Sequence, residues 1–217
     1  MKLHAVCPLC LALISLTSGC VTGRRAFDLN TPSVSSNPIG ESKGTLSIAT
    51  IDDNRHFENK PKAPSTPSVD GDVNQLSASA KSTFIGRQRN TYGHAMGDIT
   101  LQEGQTVQSK VADLLSEGLK RHGYSIVAGA AAQNSVSADI EQFWSWTTPG
   151  FVELTFEAEI RCRVTIVYNG KQVVFHVRGY GLNHGQVARD ANWQKAYDIA
   201  FKDFLADLDI KLKDSGL

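Results

Sequence analysis

Cys20 is the residue whose surroundings point most directly to chemistry. It ends the run Leu16-Thr17-Ser18-Gly19-Cys20, which follows an uncharged and mostly apolar stretch. This pattern is a lipobox, in which small residues let a peptidase reach the bond before the cysteine and a diacylglycerol alkylates the thiol. Lys2 supplies a minimal basic start, and the apolar segment from Ala5 to Leu16 has the length of a signal and is too short to span a membrane. We predict a signal peptide over residues 1–19 and lipidation at Cys20.

Two other interpretations of the N-terminus stay open: an ordinary cleaved secretory signal, and a short apolar start without targeting meaning. Thr17 stands where an aliphatic residue is usual, yet lipobox motifs tolerate it. Three acyl chains hold far more tightly than one, so the lipidated protein would not leave the membrane. Val21, and not Asp, follows the cysteine. By resemblance to sorted bacterial lipoproteins, this favours a periplasm-facing location at the outer membrane.

The other cysteines offer neither catalytic nor metal chemistry. Cys7-Pro8-Leu9-Cys10 has the C-x-x-C spacing of redox and zinc motifs, but it lies inside the signal and would be removed. Cys162 is then left without an intramolecular partner. We therefore expect no disulfide in the mature domain, although the compartment is oxidising.

The composition is that of one folded domain behind a tether. The chain is formally neutral, so its charge indicates neither nucleic acid nor an anionic surface as a partner, and we expect membrane contact from the lipid alone. Residues 20–43 are rich in Ser, Asn, Thr, Pro and Gly, which predicts a flexible tether spanning roughly 25 Å. Residues 44–217 have the size of a single domain.

Alternation and turn residues predict the first elements of this domain. Residues 44–52 alternate and predict a strand. Residues 59–72 contain three prolines and predict a long surface loop without packing of its own, either functional or disordered. Helical spacing predicts a helix over 106–123, with Thr106 as N-cap and Gly123 as its end. Strands follow over 124–128 and 135–146. On the second of them, one side is predicted to carry Val136, Ala138, Ile140, Trp144 and Trp146.

A β-hairpin follows the turn at Pro149-Gly150. From Val152 to Tyr168 every even residue is apolar or small, and the odd residues include the charged ones. Asn169-Gly170 favours a two-residue type I′ turn, which pairs Tyr168 with Lys171 and continues to Cys162 with Val177. In this register the apolar faces of both strands coincide. Cys162 is therefore predicted to point into the core as a small buried hydrophobe.

The chain ends in a second long helix. Asp190 is its predicted N-cap, and an apolar stripe continues to about Lys213. The order of strand, loop, helix, strands, hairpin and helix predicts an α+β fold, a two-layer sandwich whose mainly antiparallel sheet has two helices packed on one face.

One segment carries a family resemblance. Residues 84–93 read Phe-Ile-Gly-Arg-Gln-Arg-Asn-Thr-Tyr-Gly, and the helix that follows ends in Leu119-Lys120-Arg121-His122-Gly123-Tyr124. With this element, the chain from about Leu46 to its C-terminus resembles the YajG-type family of bacterial outer-membrane lipoproteins. Most members have no assigned function, so the resemblance implies an envelope location and a domain type and does not imply an activity.

The sequence contains no recognisable catalytic set or metal site. Its histidines are scattered singly, without H-x-H or H-E-x-x-H spacing, and G-x-S-x-G is absent. A Cys–His pair of Cys162 and His176 is unfavourable, because the hairpin parity places them on opposite faces. A hydrolase would require separate carboxylates, such as Asp52, Asp53 and Asp98, to converge in the fold. We expect no enzyme and no cofactor.

The candidate binding residues form one polar and aromatic cluster in a predicted loop: Arg87, Arg89, Asn90, Tyr92 and His94. The alternative is a loop lying over the sheet, with Tyr92 tucked in and the arginines solvated. Trp146 is a further candidate for stacking on a sugar or peptide, although its parity favours core packing.

Three functions follow from these residues. The first is a non-enzymatic accessory or interaction subunit, anchored through Cys20 and docking on another envelope protein. The second is a binding module for peptidoglycan or a lipid, with Tyr92 or Trp146 stacking on the ligand. The third is the hydrolase of converging carboxylates. We expect the first.

Overall fold

The structure of the protein, a computed structural model, describes residues 23–32, 41–90, 92–127 and 133–217. The predicted signal peptide, Cys20 and Val21 lie outside the described residues. The strands are β1 Arg25–Phe27, β2 Gly44–Asp53, β3 Phe84–Arg89, β4 Ala95–Leu101, β5 Tyr124–Val127, β6 Ser135–Pro149, β7 Leu154–Tyr168 and β8 Lys171–Gly185. The helices are α1 Ala78–Lys81, α2 Val107–Arg121 and α3 Asp190–Asp214, and a 3-10 turn covers Val73–Gln75.

The sheet is mixed, so the predicted fold class is wrong. Its strands curl into a half-barrel accompanied by three helices, unlike the mainly antiparallel two-layer sandwich that we expected. Parallel pairing joins β1 to β4, β2 to β5, and both β2 and β3 to β6. Antiparallel pairing joins β3 to β4, β6 to β7, and β7 to β8. The sequence predicted β2, β5 and β6 as strands but not that β2 pairs with the other two in parallel, and it did not predict β1, β3 and β4 as strands.

Strand β6 organises the sheet because it has three neighbours. One edge pairs with β7 along its length. The other edge is divided: its first half pairs with β2 up to the partners Asp53 and Ile140, and its second half pairs with β3 at Ser145 and Trp146. Consequently β2 and β3 lie end to end along β6.

The β7–β8 hairpin is confirmed in detail. Tyr168 pairs with Lys171, and the register continues to Cys162 opposite Val177. Asn169 and Gly170 have φ values of 52° and 76°, as a type I′ turn requires. Cys162 is fully buried, and burial raises the pKa of its thiol, which makes the thiolate scarce and the residue inert.

A β-bulge overturns the predicted side of the two tryptophans. The register between β6 and β7 shifts between Ile140 and Gln142, so the residues beyond this point change face. Phe143 takes the place in the main core beside Ile140. Trp144 and Trp146 turn to the opposite face, where they belong to a second apolar cluster. The alternation seen in the sequence did not reveal the extra residue.

The helices cover the inner face of the sheet. Helix α2 is confirmed, and Thr106 is its N-cap in a capping box with Ser109. Helix α3 begins at Asp190, but its N-cap is Arg189 and makes no side-chain cap. Both helices contribute to the main core. A Cβ on Gly181 would collide with the backbone of Ala196 and Ala200, so this glycine allows α3 to lie directly against β8.

Two segments that we predicted to be unpacked are part of the fold. Within the predicted tether, β1 pairs with β4, and Phe27 and Leu29 are buried in the core. The segment of residues 54–76, which includes the predicted proline-rich loop and is called the outer strap below, covers the outer face of the sheet. Its Val69 and Val73 pack with the two tryptophans, and the indole of Trp144 donates a hydrogen bond to the Pro64 carbonyl at 3.3 Å.

Arg55 fills the gap between the end of β2 and the start of β3. Its side chain is fully buried and forms a bidentate pair with Asp53, at 2.7 and 2.8 Å. It also donates to the carbonyls of Phe84 in β3, Phe143 in β6 and Lys81 in α1. All five guanidinium N–H donors are thereby used. The edge of β6 has no strand partner between the end of β2 and the start of β3. The Arg55 side chain supplies hydrogen bonds at this gap in place of a strand backbone.

We predict that replacing Arg55 destabilises the protein far more than replacing a surface arginine. Arg55→Met leaves Asp53 and three carbonyls without their partner, and is expected to lower the free energy of unfolding by about 3 to 5 kcal/mol. Arg55→Lys keeps the charge but loses most of the hydrogen bonds of the planar guanidinium. Its free energy of unfolding should lie between those of the wild type and Arg55→Met. Urea unfolding at pH 7 measures both.

Arg163→Met is the matched control, since this half-exposed arginine pairs with half-exposed Asp139. Arg163→Met should lower the free energy of unfolding by less than about 1 kcal/mol. Equal losses for Arg55→Met and Arg163→Met would contradict the role given to Arg55.

Candidate functional site

The candidate residues belong to the β3–β4 hairpin, in place of the predicted loop. Asn90 builds its turn: the side-chain oxygen accepts hydrogen bonds from the backbone of Tyr92 at 3.0 Å and of His94 at 2.9 Å. The Asn90 amide also donates to the His94 carbonyl. Asn90 is therefore a structural residue of the turn. Tyr92 is 84% exposed at the tip, so it is not tucked in.

Arg87 is buried in β3 and held from two sides. Its side chain is only 7% exposed and lies 3.2 Å from the carboxylate of Asp98, itself 1% exposed on β4. Its guanidinium donates to the Val69 carbonyl of the outer strap at 2.6 Å, and Asp70 lies 3.6 Å away. Arg87 thus ties the outer strap to the hairpin and is not a solvated loop arginine.

The electrostatic environment around Arg87 favours an added negative charge. Burial raises the pKa of the Asp98 carboxyl, against the effect of its hydrogen bond from the Asp70 amide and of the charge of Arg87. Burial, and next the charge of Arg87, lower the pKa of the Arg89 guanidinium. Among the described residues, the buried Nε of Arg89 has no hydrogen-bond acceptor.

These residues line a cleft of about 580 Å³ between the outer strap and the hairpin, called the basic cleft below. The hairpin contributes Arg87, Arg89, Tyr92 and His94, all four predicted from the sequence. The outer strap adds Lys60 and Lys62, which the sequence analysis missed. The sequence signal that could have indicated them is the presence of two lysines in residues 60–67, a proline-rich stretch with no other charged residue. Asp70 is the acidic residue among the described lining residues.

Trp146 is not available for stacking on a ligand. It is 6% exposed beneath the outer strap, and its indole donates a 3.1 Å hydrogen bond to Glu157. Tyr180 donates to the other oxygen of the same carboxylate at 2.6 Å. Trp146 therefore supports the outer face of the sheet and lies outside the basic cleft.

The other residues considered for chemistry do not come together. Cys162 is buried, whereas His176 lies on the outer face and pairs with Glu141 at 3.1 Å. Asp53 is paired with Arg55, and Asp98 is paired with Arg87 in another part of the sheet. Within the described ranges, no group of three or more His, Cys, Asp or Glu side chains is placed to hold a metal ion. In that same part of the chain, none of the helices has the length and apolarity needed to cross a membrane.

Comparison with known families now gives the class of protein. The model of a family described as uncharacterized lipoprotein matches residues 82–193, just over half of the chain. The chain belongs to this family of uncharacterized lipoproteins. The matched region begins just before β3 and ends in α3, so it includes the β3–β4 hairpin. Membership of a lipoprotein family implies a membrane-associated location in the cell envelope.

Solved structures show distant similarity. A Xanthomonas campestris protein of the family DUF330 is 12% identical, with a TM-score of 0.44, over 87% of this chain and 99% of its own. A hypothetical protein from Chlamydia trachomatis is 7% identical, with a TM-score of 0.35, over 76% of this chain and 96% of its own. No curated protein matches the chain.

We predict that Asp98 and Asp209 contribute to the pH dependence of stability in opposite directions. Because burial raises the pKa of Asp98, its contribution to stability is complete below its unfolded pKa of about 3.9 and is lost as pH rises through the folded pKa. Hydrogen bonds from Lys213 and then His122 lower the pKa of Asp209. Its contribution is therefore present above about pH 3.9 and is lost as pH falls.

Urea unfolding between about pH 3 and pH 6 tests this prediction. The stability of the wild type relative to Asp98→Asn should decrease as pH rises. Relative to Asp209→Asn it should increase over the same range. Two parallel curves, or slopes in the reverse order, would contradict the assignment.

Proposed function

We propose that the protein is a lipid-anchored, periplasm-facing lipoprotein of the outer membrane, of the YajG type, and that it acts as a non-enzymatic interaction subunit of the cell envelope. Its binding surface is the basic cleft, and the group bound there is anionic. The observation that carries this proposal is the convergence of Lys60 and Lys62 from the outer strap with Arg87 and Arg89 from β3 on one cavity.

The arrangement of the cleft favours binding over catalysis. Its cations, Lys60, Lys62, Arg87 and Arg89, come from two different segments and outnumber Asp70, the acidic residue among the described lining residues. Such an arrangement can hold a carboxylate or phosphate. No serine, threonine or cysteine is among its described lining residues. Among those residues, no hydrogen bond pairs Tyr92 or a lysine with His94 as a base, so the supporting geometry does not include an activated nucleophile. The cleft therefore recognises an anionic group without transforming it.

A second candidate function is the binding of peptidoglycan or of a lipid. The exposed ring of Tyr92 stands beside the cations of the cleft. An aromatic ring next to positive charge fits a sugar polymer that carries carboxylates, because the ring can stack on the sugar while the cations pair with the acid. The two candidates differ in the class of molecule that reaches Tyr92.

We predict that a photoreactive amino acid in place of Tyr92 crosslinks to a discrete envelope protein in living cells. The same replacement at Gln172, exposed at the β7–β8 turn, is the positional control and should give no such adduct. An adduct that disappears on muramidase digestion would establish the peptidoglycan alternative in place of the interaction subunit. Equal adducts at both positions would contradict a specific site.

The charge of the cleft is tested in the same assay. The triple variant Lys60→Gln, Lys62→Gln and Arg89→Gln should reduce the Tyr92 adduct about ten-fold, since it removes the attraction for an anion. Lys171→Gln, Lys195→Gln and Lys202→Gln remove the same charge from exposed positions elsewhere and should leave the adduct unchanged. Equal effects of the two triples would overturn the assignment of the cleft.

The anchor is tested separately by Cys20→Ser. This variant should fold as the wild type does, because the main core among the described residues begins at Phe27 and does not include Cys20, but should no longer fractionate with membranes. Density-gradient separation of cell membranes measures the difference. A variant that still sediments with the outer membrane would contradict lipidation at this residue.

A further inference from the structure

We infer that one end of the sheet lies directly on the bilayer surface, so that the domain is seated on the membrane and does not stand away from it. The occupant of this surface is the lipid bilayer that holds the acyl chains. The inference rests on lipidation of Cys20, which is part of the proposed function. It replaces the expectation of a tether of 24 residues by a contact between the folded domain and lipid.

The first step is the place at which the chain enters the fold. The amide of Gly23 donates a hydrogen bond to the Met96 carbonyl at 3.0 Å, and β1 then runs parallel to β4. Three residue steps separate Gly23 from Cys20. Because a fully extended chain covers at most about 3.6 Å per residue, Cys20 lies within about 11 Å of Gly23. The lipid is therefore attached close to the first residues of β4.

The second step is the register, which shows what else lies at this end of the sheet. Strand β4 begins at the β3–β4 turn, and Arg89 lies on the other side of that turn. The backbone N–H of Arg89 donates to the hydroxyl of Thr147 near the end of β6, and this hydroxyl donates to the Arg89 carbonyl. Pro149 of β6 pairs with Leu154 of β7, which pairs with Gly185 of β8. The β3–β4 turn, the β6–β7 turn and the end of β8 thus share one end, called the anchor end below. The Asn169-Gly170 turn lies at the opposite end.

The third step is the side chains at the anchor end. The three most exposed large apolar residues in the described part of the chain are Phe151 at 104%, Tyr92 at 84% and Val152 at 78%. All three occupy the two turns of this end, and about 10 Å separates these turns if neighbouring strands keep their usual spacing. Exposed aromatic and aliphatic tips next to a lipid anchor match the way interfacial residues enter the boundary between head groups and acyl chains.

The anchor end carries charges of both signs: Glu153, next to Val152, lies 3.1 Å from His184, and cations surround the other turn. Arg24 lines a cavity with Arg87 beside the basic cleft, and the cleft opens next to the same turn. Such cations are attracted to phospholipid phosphates, although the whole chain is formally neutral. The basic cleft consequently binds its anionic group at the height of the lipid head groups. The net charge of the sequence concealed this local asymmetry.

Depth-dependent quenching on the lipidated full-length protein tests the inference. The buried thiol of Cys162 stays unlabelled, so Tyr92→Cys and Phe151→Cys each carry one environment-sensitive fluorophore. The vesicles contain phosphatidylethanolamine, phosphatidylglycerol and a spin-labelled lipid. We expect the labels at both positions to be quenched several-fold more than labels at Gln172→Cys, at the opposite end, and Ile210→Cys, on α3. Equal quenching at the four positions, or none at Tyr92→Cys and Phe151→Cys, would overturn the seated orientation.

Flotation of the same samples separates this inference from its premise. Protein that floats with the vesicles, but whose anchor-end labels stay unquenched, refutes the seat and leaves the anchor intact. Protein that does not float refutes lipidation at Cys20 and, with it, the seat.

A second measurement uses the mature chain with Cys20→Ser, which removes the anchor and leaves only the weak contact of the apolar tips, too weak to survive gradient separation of membranes but measurable by equilibrium titration with excess vesicles. Phe151→Ser combined with Val152→Ser should weaken its binding to the same vesicles about ten-fold. Ile199→Ser combined with Ile210→Ser, which removes exposed apolar side chains from α3, should leave binding unchanged. Because all four side chains are exposed, neither pair is expected to unfold the domain. Equal binding by both pairs would overturn the role of the apolar tips.

Discussion

The contact of Arg55 with the divided edge of β6 is the constraint on which the fold depends. A strand has two edges, and β6 gives one of them to two strands in succession. Where β2 ends and β3 has not yet begun, backbone carbonyls would be left buried without partners, which is costly. The guanidinium of Arg55 satisfies the carbonyls of Phe84 and Phe143 there, while Asp53 balances its charge. This arrangement lets β3 continue the line of β2 and carry the hairpin that forms the cleft.

The outer strap gives the molecule a third layer. Helices α2 and α3 cover the inner face of the sheet, and the strap covers the part of the outer face to which the bulge turns Trp144 and Trp146. The same strap binds Arg87 through the Val69 carbonyl and presents Lys60 and Lys62 to the cleft. Packing and site are thus linked: the segment that buries the tryptophans also supplies half of the cations. The outer face beyond the strap carries charges that pair across strands, such as Asp139 with Arg163.

The position of β1 bears on the proposed seating of the domain at the membrane. Because β1 is the edge strand beside β4, the chain enters the domain next to the β3–β4 turn, where the cleft opens. A flexible tether would have left the orientation of the domain undetermined. A strand that begins five residues after Cys20, the proposed site of lipidation, restricts it, since the length of chain between them is shorter than the domain. The strand order therefore brings the apolar tips, the basic cleft and the point where the chain enters the domain to the same end of the sheet.

The sequence by itself determined the features that depend on local patterns: the capped helix after Thr106, and the Asn169-Gly170 hairpin with its register and the buried Cys162. The lipobox at Cys20 stays a prediction. Turn geometry and periodicity act over a few residues, so they are visible in a single chain. It also pointed to the group from Arg87 to His94. Only the tertiary structure decided the mixed sheet, the strand at Arg25–Phe27, the side of the tryptophans after the bulge, and the union of Lys60 with Arg89 in one cleft. These features depend on contacts between segments far apart in the chain. Arg87 can lie buried in a strand because Asp98 of β4 pairs with it. One extra residue in β6 turns the side chains that follow it to the opposite face of the sheet.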